Sequence, residues 1–171
     1  MLKFCLECIA GDRRDDVVYA PNNISLNARG AMPEAENMLK LRVPKAINLG
    51  DTIVINGAFK EDKQIFEMSL TEGLSEPDMT NVAFYLKVDF QANTLHLGSS
   101  REGNSVNESN YNMDKVEFNI EMGFQYANLV SCVLNGDSLN DVKYEIPINN
   151  ISFIVLNGDV SQVTSLNFTY G

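Results

Sequence analysis

Tyr85, Lys87 and Asp89 stand at i, i+2 and i+4 in the segment Val-Ala-Phe-Tyr-Leu-Lys-Val-Asp-Phe, residues 82–90. Val82, Phe84, Leu86, Val88 and Phe90 fill the alternate positions, so the segment reads as a half-buried strand that turns Tyr, Lys and Asp to one face. Such a row holds an aromatic plate with a hydroxyl, a cationic donor and a carboxylate acceptor, spaced about 6.6 Å from one to the next. That chemistry suits non-covalent binding of a polar ligand. The competing reading is an ordinary solvated sheet face.

Catalytic chemistry finds no comparable arrangement. Glycoside hydrolysis needs two carboxyl groups about 5–9.5 Å apart. Glu117 and Glu121 share a strand face, but four residues of strand put their Cα atoms about 13 Å apart. The single histidine, His96, has no Ser-His-Asp order around it, and no Gly-rich phosphate loop occurs. Cys5 and Cys8 have C-x-x-C spacing, yet a zinc site wants a second pair, and the chain offers only Cys132 and His96. The expectation is a non-enzymatic protein without metal or cofactor.

The 171 residues fit one domain with a substantial core, and 44% apolar with 21% charged residues is an ordinary globular composition. A net charge of −10 excludes nucleic acid as a natural partner and disfavours anionic membranes and sulfated glycans. No apolar run reaches the roughly 18 residues of a membrane span. The first residues carry one early Lys and a short apolar stretch broken by Glu7, unlike a secretory leader. The expected location is therefore the cytoplasm, with reduced thiols and empty sequons at Asn23, Asn107, Asn150 and Asn167; export without a signal peptide is compatible.

The elements that position the polar row are short alternating segments split by turn signals, the pattern of an all-β sandwich. Thr52 to Asn56 is one strand, closed by a turn of Gly57 and Lys60 to Lys63; Phe66, Met68 and Leu70 line the next. Thr94 to Gly98 turns Leu95 and Leu97 inward, and Val116, Phe118, Ile120 and Met122 alternate with Glu117, Asn119 and Glu121. Leu129 to Leu134 ends in the hairpin signal Asn135-Gly136-Asp137. Val142, Tyr144 and Ile146, then Ile151 to Leu156, a turn at Asn157 to Asp159, and Val163 to Phe168 complete the set. Phe66, Met68, Phe84, Leu86, Phe118 and Ile120 are the expected core. Residues 1–37 read as an N-terminal arm or extra strands, with a loop from Asn22 to Asn37, and residues 38–171 as the domain.

From Leu39 to Gly171 the order of elements resembles the carbohydrate-recognition domain of the galectins. Leu49-Gly50-Asp51-Thr52-Ile53-Val54-Ile55-Asn56-Gly57 is similar to the family's early G-x-x-I-x-I-x-G strand. Phe66 to Leu70, Asn93-Thr94-Leu95, Asn135-Gly136-Asp137 and the closing Ile151 to Val160 follow in the family's order. The resemblance implies a two-sheet antiparallel jelly-roll sandwich with a concave sugar-binding face. Against the family's His-x-Asn-x-Arg pattern, this chain has Tyr85, Lys87 and Asp89. The next strand's Asn falls on Gly98, the stacking Trp has no counterpart in a chain without Trp, and Glu-x-Arg becomes Glu108 and Asn110.

Each lost hydroxyl partner costs about 1–3 kcal/mol where its mate stays buried. The resemblance thus implies a lectin whose site is remodelled, with Tyr85, Lys87, Asp89, His96, Glu108 and Asn110 as ligand-binding candidates and with weak or no lactose binding. Its partner would be a glycan or glycoprotein. The alternative is a galectin-fold protein-interaction module without sugar binding; either form is compatible with a homodimer.

Overall fold

The computed structural model describes residues 38–100 and 115–171 in full, with backbone strands at 17–20, 23–26, 30–31 and 105–107. Strand β1 is Val17–Ala20, β2 Asn23–Leu26, β3 Gly30–Ala31, β4 Met38–Arg42 and β5 Thr52–Phe59. Next come β6 Ile65–Thr71, β7 Val82–Asp89, β8 Thr94–Gly98, β9 Ser105–Asn107 and β10 Glu117–Tyr126. The last are β11 Leu129–Leu134, β12 Asp137–Ser138, β13 Val142–Lys143, β14 Phe153–Gly158 and β15 Val160–Thr169. A single 3₁₀ turn, Ile148–Asn150, is the only helical piece among the described residues, and no helix there is long and apolar enough to cross a membrane.

One sheet runs β1-β2-β15-β5-β10-β11-β12, with β3 beside β15 and β13 beside β11; the other runs β4-β14-β6-β7-β8-β9. Neighbouring strands are antiparallel throughout. The fold is thus an all-β, two-sheet antiparallel sandwich. Its core follows from the period-two pattern: each sheet turns one apolar row inward, and the rows meet. Phe66, Met68, Phe84, Leu86 and Ile120 are fully buried and Phe118 is 2% exposed. Around Phe59, ring centroids lie 5.2 Å from Phe66, 5.0 Å from Phe90 and 4.7 Å from Phe118.

Five sequence expectations are corrected here. Val116 lies before β10 and is exposed, so the strand's inward row starts at Phe118. Gly57 belongs to β5 rather than to a turn, because a Cβ there would collide with the Phe118 ring that crosses it. The glycine makes room for a core aromatic, a demand that local sequence does not reveal. Within the Asn22–Asn37 segment, β2 pairs with β15 from Leu26↔Leu166 to Asn23↔Thr169, and β3 pairs with Gln162 and Val163. Finally, Tyr144 and Ile146 are buried but lie outside the two-residue β13, and β14 begins at Phe153 rather than Ile151.

The turn at Asn135–Gly136 has both residues at positive φ (54° and 91°), as a two-residue hairpin requires. Cys132 is buried on β11, and burial pushes its thiol up to about 12, so it is a packing residue rather than a nucleophile.

Asp159 fixes the crossing from β14 to β15. Its Oδ2 accepts hydrogen bonds from the Gln64 and Ile65 amides at 2.8 and 3.1 Å. Burial pushes this carboxyl up, but the two amides and the nearby Lys60 outweigh it, and the net shift is downward from 3.8. A folded-state pKa below the unfolded value gives stability that is present above the unfolded pKa and lost as pH falls through the folded one. Asp159→Ala is expected to cost about 1 kcal/mol at neutral pH. In urea titrations, the gap between wild type and variant should close as pH drops through and below 3.8. A gap that persists at low pH would show that the carboxylate charge is irrelevant.

Candidate functional site

The outward row of the six-stranded sheet follows from the pairing register. Lys87 stands opposite Glu67 on one side and His96 on the other. Tyr85 stands opposite Ser69 and Gly98, and Asp89 opposite Ile65 and Thr94. Paired residues on a common face have Cβ atoms about 4.5–5.5 Å apart. The strands therefore bring Tyr85, Lys87, Asp89 and His96 onto one face, as their phases require. Glu108 and Asn110 lie outside the described residues.

Part of this face is closed. Phe153 and Val155 alternate away from the main core, yet they are only 6% and 1% exposed. Residues 72–78 fold back over that edge. Ser152 Oγ donates to the Gly73 carbonyl at 2.8 Å, Gly73 packs against the Phe153 ring, and Lys40 pairs with Glu76 at 2.9 Å. Arg42 stacks over Phe153 at 5.7 Å. The open portion is the β6–β7–β8 stretch, where Glu67, Tyr85, Lys87 and His96 are all half-buried.

Within it, Tyr85 lies across β8. A Cβ built on Gly98 would meet the Tyr85 hydroxyl at 2.6 Å and its ring at 2.8 Å. The phenol thus occupies the space above Gly98 that a side chain would need. Burial, and then the Glu67 charge, raise its pKa, so Tyr85 is a neutral O–H donor beside the charged row. Lys87 sits between a carboxylate and an imidazole in one lateral line across three strands.

Asp89 has a more local task than the sequence suggests. Its Oδ1 accepts from the amides of Gln91 and Ala92 at 3.0 and 2.8 Å, which caps the short turn into β8. Glu67 and Ser69 were missed as site residues, although the inward phase of Phe66, Met68 and Leu70 already turned them outward. Among the described residues, no group of three His, Cys, Asp or Glu side chains is placed to hold a metal ion.

The sequence matches the galactoside-binding lectin family over residues 38–168. The chain belongs to that family. Its fold is similar to the crystal structure of the galectin LEC-6 of Caenorhabditis elegans, with a TM-score of 0.65 at 13% identity. The match covers 90% of this chain and 99% of that one. Protein MelA of Shewanella colwelliana is 28% identical over 123 residues, which are 71% of this chain and 34% of that protein. The chain thus spans about a third of the length of this curated relative. The family is one of lectins rather than enzymes.

The ring on β7 fills the space above Gly98 on β8 that a side chain there would need. The two positions should therefore be coupled. Gly98→Ala is expected to cost about 1–2 kcal/mol by displacing the ring, and to cost little beyond the first substitution when made in Tyr85→Ala. A double-mutant cycle in urea measures the difference; strict additivity would show that the ring and the glycine do not share this space.

Proposed function

We propose that this chain is a non-catalytic carbohydrate-binding domain with a remodelled glycan site on the open β6–β8 face. Tyr85, Lys87 and His96 are its principal contacts, and Glu67 is an acceptor beside them. One observation carries the reading: among the described residues, an aromatic ring and a line of opposed charges adjoin on a part of this face that residues 72–78 leave open. The ring offers an apolar plate to a pyranose, while the ammonium, imidazole and carboxylate offer donors and acceptors for its hydroxyls. Asp89, held by its turn, contributes through its remaining acceptor capacity. Family membership supports carbohydrate as the ligand class. A cytosolic location with reduced thiols is part of the same reading.

Lactose is expected to bind more weakly than about 1 mM, because no Trp is present and Tyr85, Lys87, Asp89 and Gly98 replace the family's polar set. Calorimetric titration checks this; retention on a lactose column with release by free lactose would contradict it. A glycan array then tests the wider reading. Reproducible hits on other glycans, lost in Lys87→Met, are the expected result. A blank array would sink it and favour the interaction-module alternative.

A further inference from the structure

The opposite sheet carries a second polar feature that the proposed glycan site does not use. A trough of about 410 Å³ crosses the outer face of β5, β10 and β15, lined by Asn56, Asn119, Asn135, Gln162 and Thr164 with Glu117 at its rim. Two causes open it. The β5–β15 register slips twice, between Val160 and Gln162 and between Val163 and Ser165, and such bulges bend a strand away from its partner. In addition, the next outward position on β5 after Asn56 is Ala58, which supplies almost no side chain.

Asn is disfavoured in strands, so Asn56 on β5 beside Asn119 on β10, with the turn residue Asn135 next to them, calls for a cause. They are oriented by one another. Asn119 Nδ2 donates to Asn56 Oδ1 at 2.7 Å, Asn56 Nδ2 donates to Ser165 Oγ at 2.9 Å, and Asn135 Oδ1 accepts from the Asn119 backbone N–H at 2.8 Å. Each link fixes which way an amide points and leaves the rest of its hydrogen-bonding capacity unused by the ladder. Asn119 Oδ1 accepts nothing from the described residues. The result is a fixed, uncharged row of donors and acceptors.

We propose that this trough is a second ligand site, for a neutral oligosaccharide. Vicinal hydroxyls of an uncharged sugar match preoriented amides and the Gln162 and Thr164 side chains. Lys115 and Glu117 both line the trough and offset each other locally, and the net charge of −10 disfavours polyanions. An extended peptide is disfavoured because β5, β10 and β15 are interior strands, whose ladder groups are paired on both sides and give nothing to augment. The site is independent of the β6–β8 face.

The test is a ¹H–¹⁵N NMR titration of the whole chain with cellohexaose, maltohexaose and a short dextran. At least one should shift the side-chain amide signals of Asn56, Asn119 and Gln162, with a Kd of about 1 mM or tighter. Lys87 and His96 signals should stay still. Thr164 is exposed, so Thr164→Arg should fold normally and abolish the shifts by filling the trough. Three probes without shifts at these amides, shifts confined to the β6–β8 face, or shifts that survive in Thr164→Arg would each overturn the proposal.

Discussion

Phe66→Ala is expected to lower the unfolding free energy by about 3–5 kcal/mol, measured as a fall in the urea midpoint at unchanged slope. The ring is fully buried and packs edge-on to Phe59 at 5.2 Å and tilted against Phe118 at 5.5 Å. Truncation removes its transfer free energy and leaves a cavity between β6 and the Phe59 and Phe118 rings, which are held by β5 and β10 of the facing sheet and cannot simply collapse into it. Domains of this kind are stable by about 5–15 kcal/mol, so one side chain would remove a large share. Ile65, one residue earlier and 43% exposed, is the internal control. Ile65→Ala should cost less than about 1 kcal/mol. Similar losses at both positions would mean that strand phase does not decide burial in β6.

That contrast of adjacent residues is also why so much of the fold could be read from the chain. Alternation marks the inward phase of β6, β7, β8, β10 and β11 directly, since a one-residue slip would expose every large side chain. What alternation cannot carry is the partner strand. Gly57 reads as a turn until Phe118 is seen above it, and Asn23–Leu26 reads as a loop until β15 lies beside it. Tyr144 and Ile146 are inward without a ladder, so the pattern overstated the strand there.

The candidate site divides the same way. The shared face of Tyr85, Lys87 and Asp89 is a property of one strand, and it was legible. That Glu67 and His96 flank Lys87 depends on the registers of two strand pairs. That residues 72–78 close one side of the face depends on contacts such as Lys40–Glu76, separated by 36 positions. Asp89 looked like a free acceptor because its turn partners, Gln91 and Ala92, use backbone amides that no side-chain pattern announces.

The covered Gly98 also decides how the glycan site must be tested. Tyr85→Ala would remove the plate but also uncover Gly98, so any loss of binding would be mixed with a loss of packing. Tyr85→Phe with Lys87→Met avoids this. The ring stays over β8 and the methionine keeps an apolar stem of similar length, while the phenol donor and the cation are gone. Charge-assisted hydrogen bonds are worth about 1.5–3 kcal/mol and neutral ones about 1. Affinity for whichever glycan the array identifies is therefore expected to fall by roughly 50-fold or more, since about 1.4 kcal/mol is a factor of ten. The melting temperature should move by no more than a few degrees, because both positions face outward on β7. Such a fall in affinity with the fold intact would locate recognition at these two polar groups. If the double variant binds its glycan as tightly as wild type, the β6–β8 face is not the site.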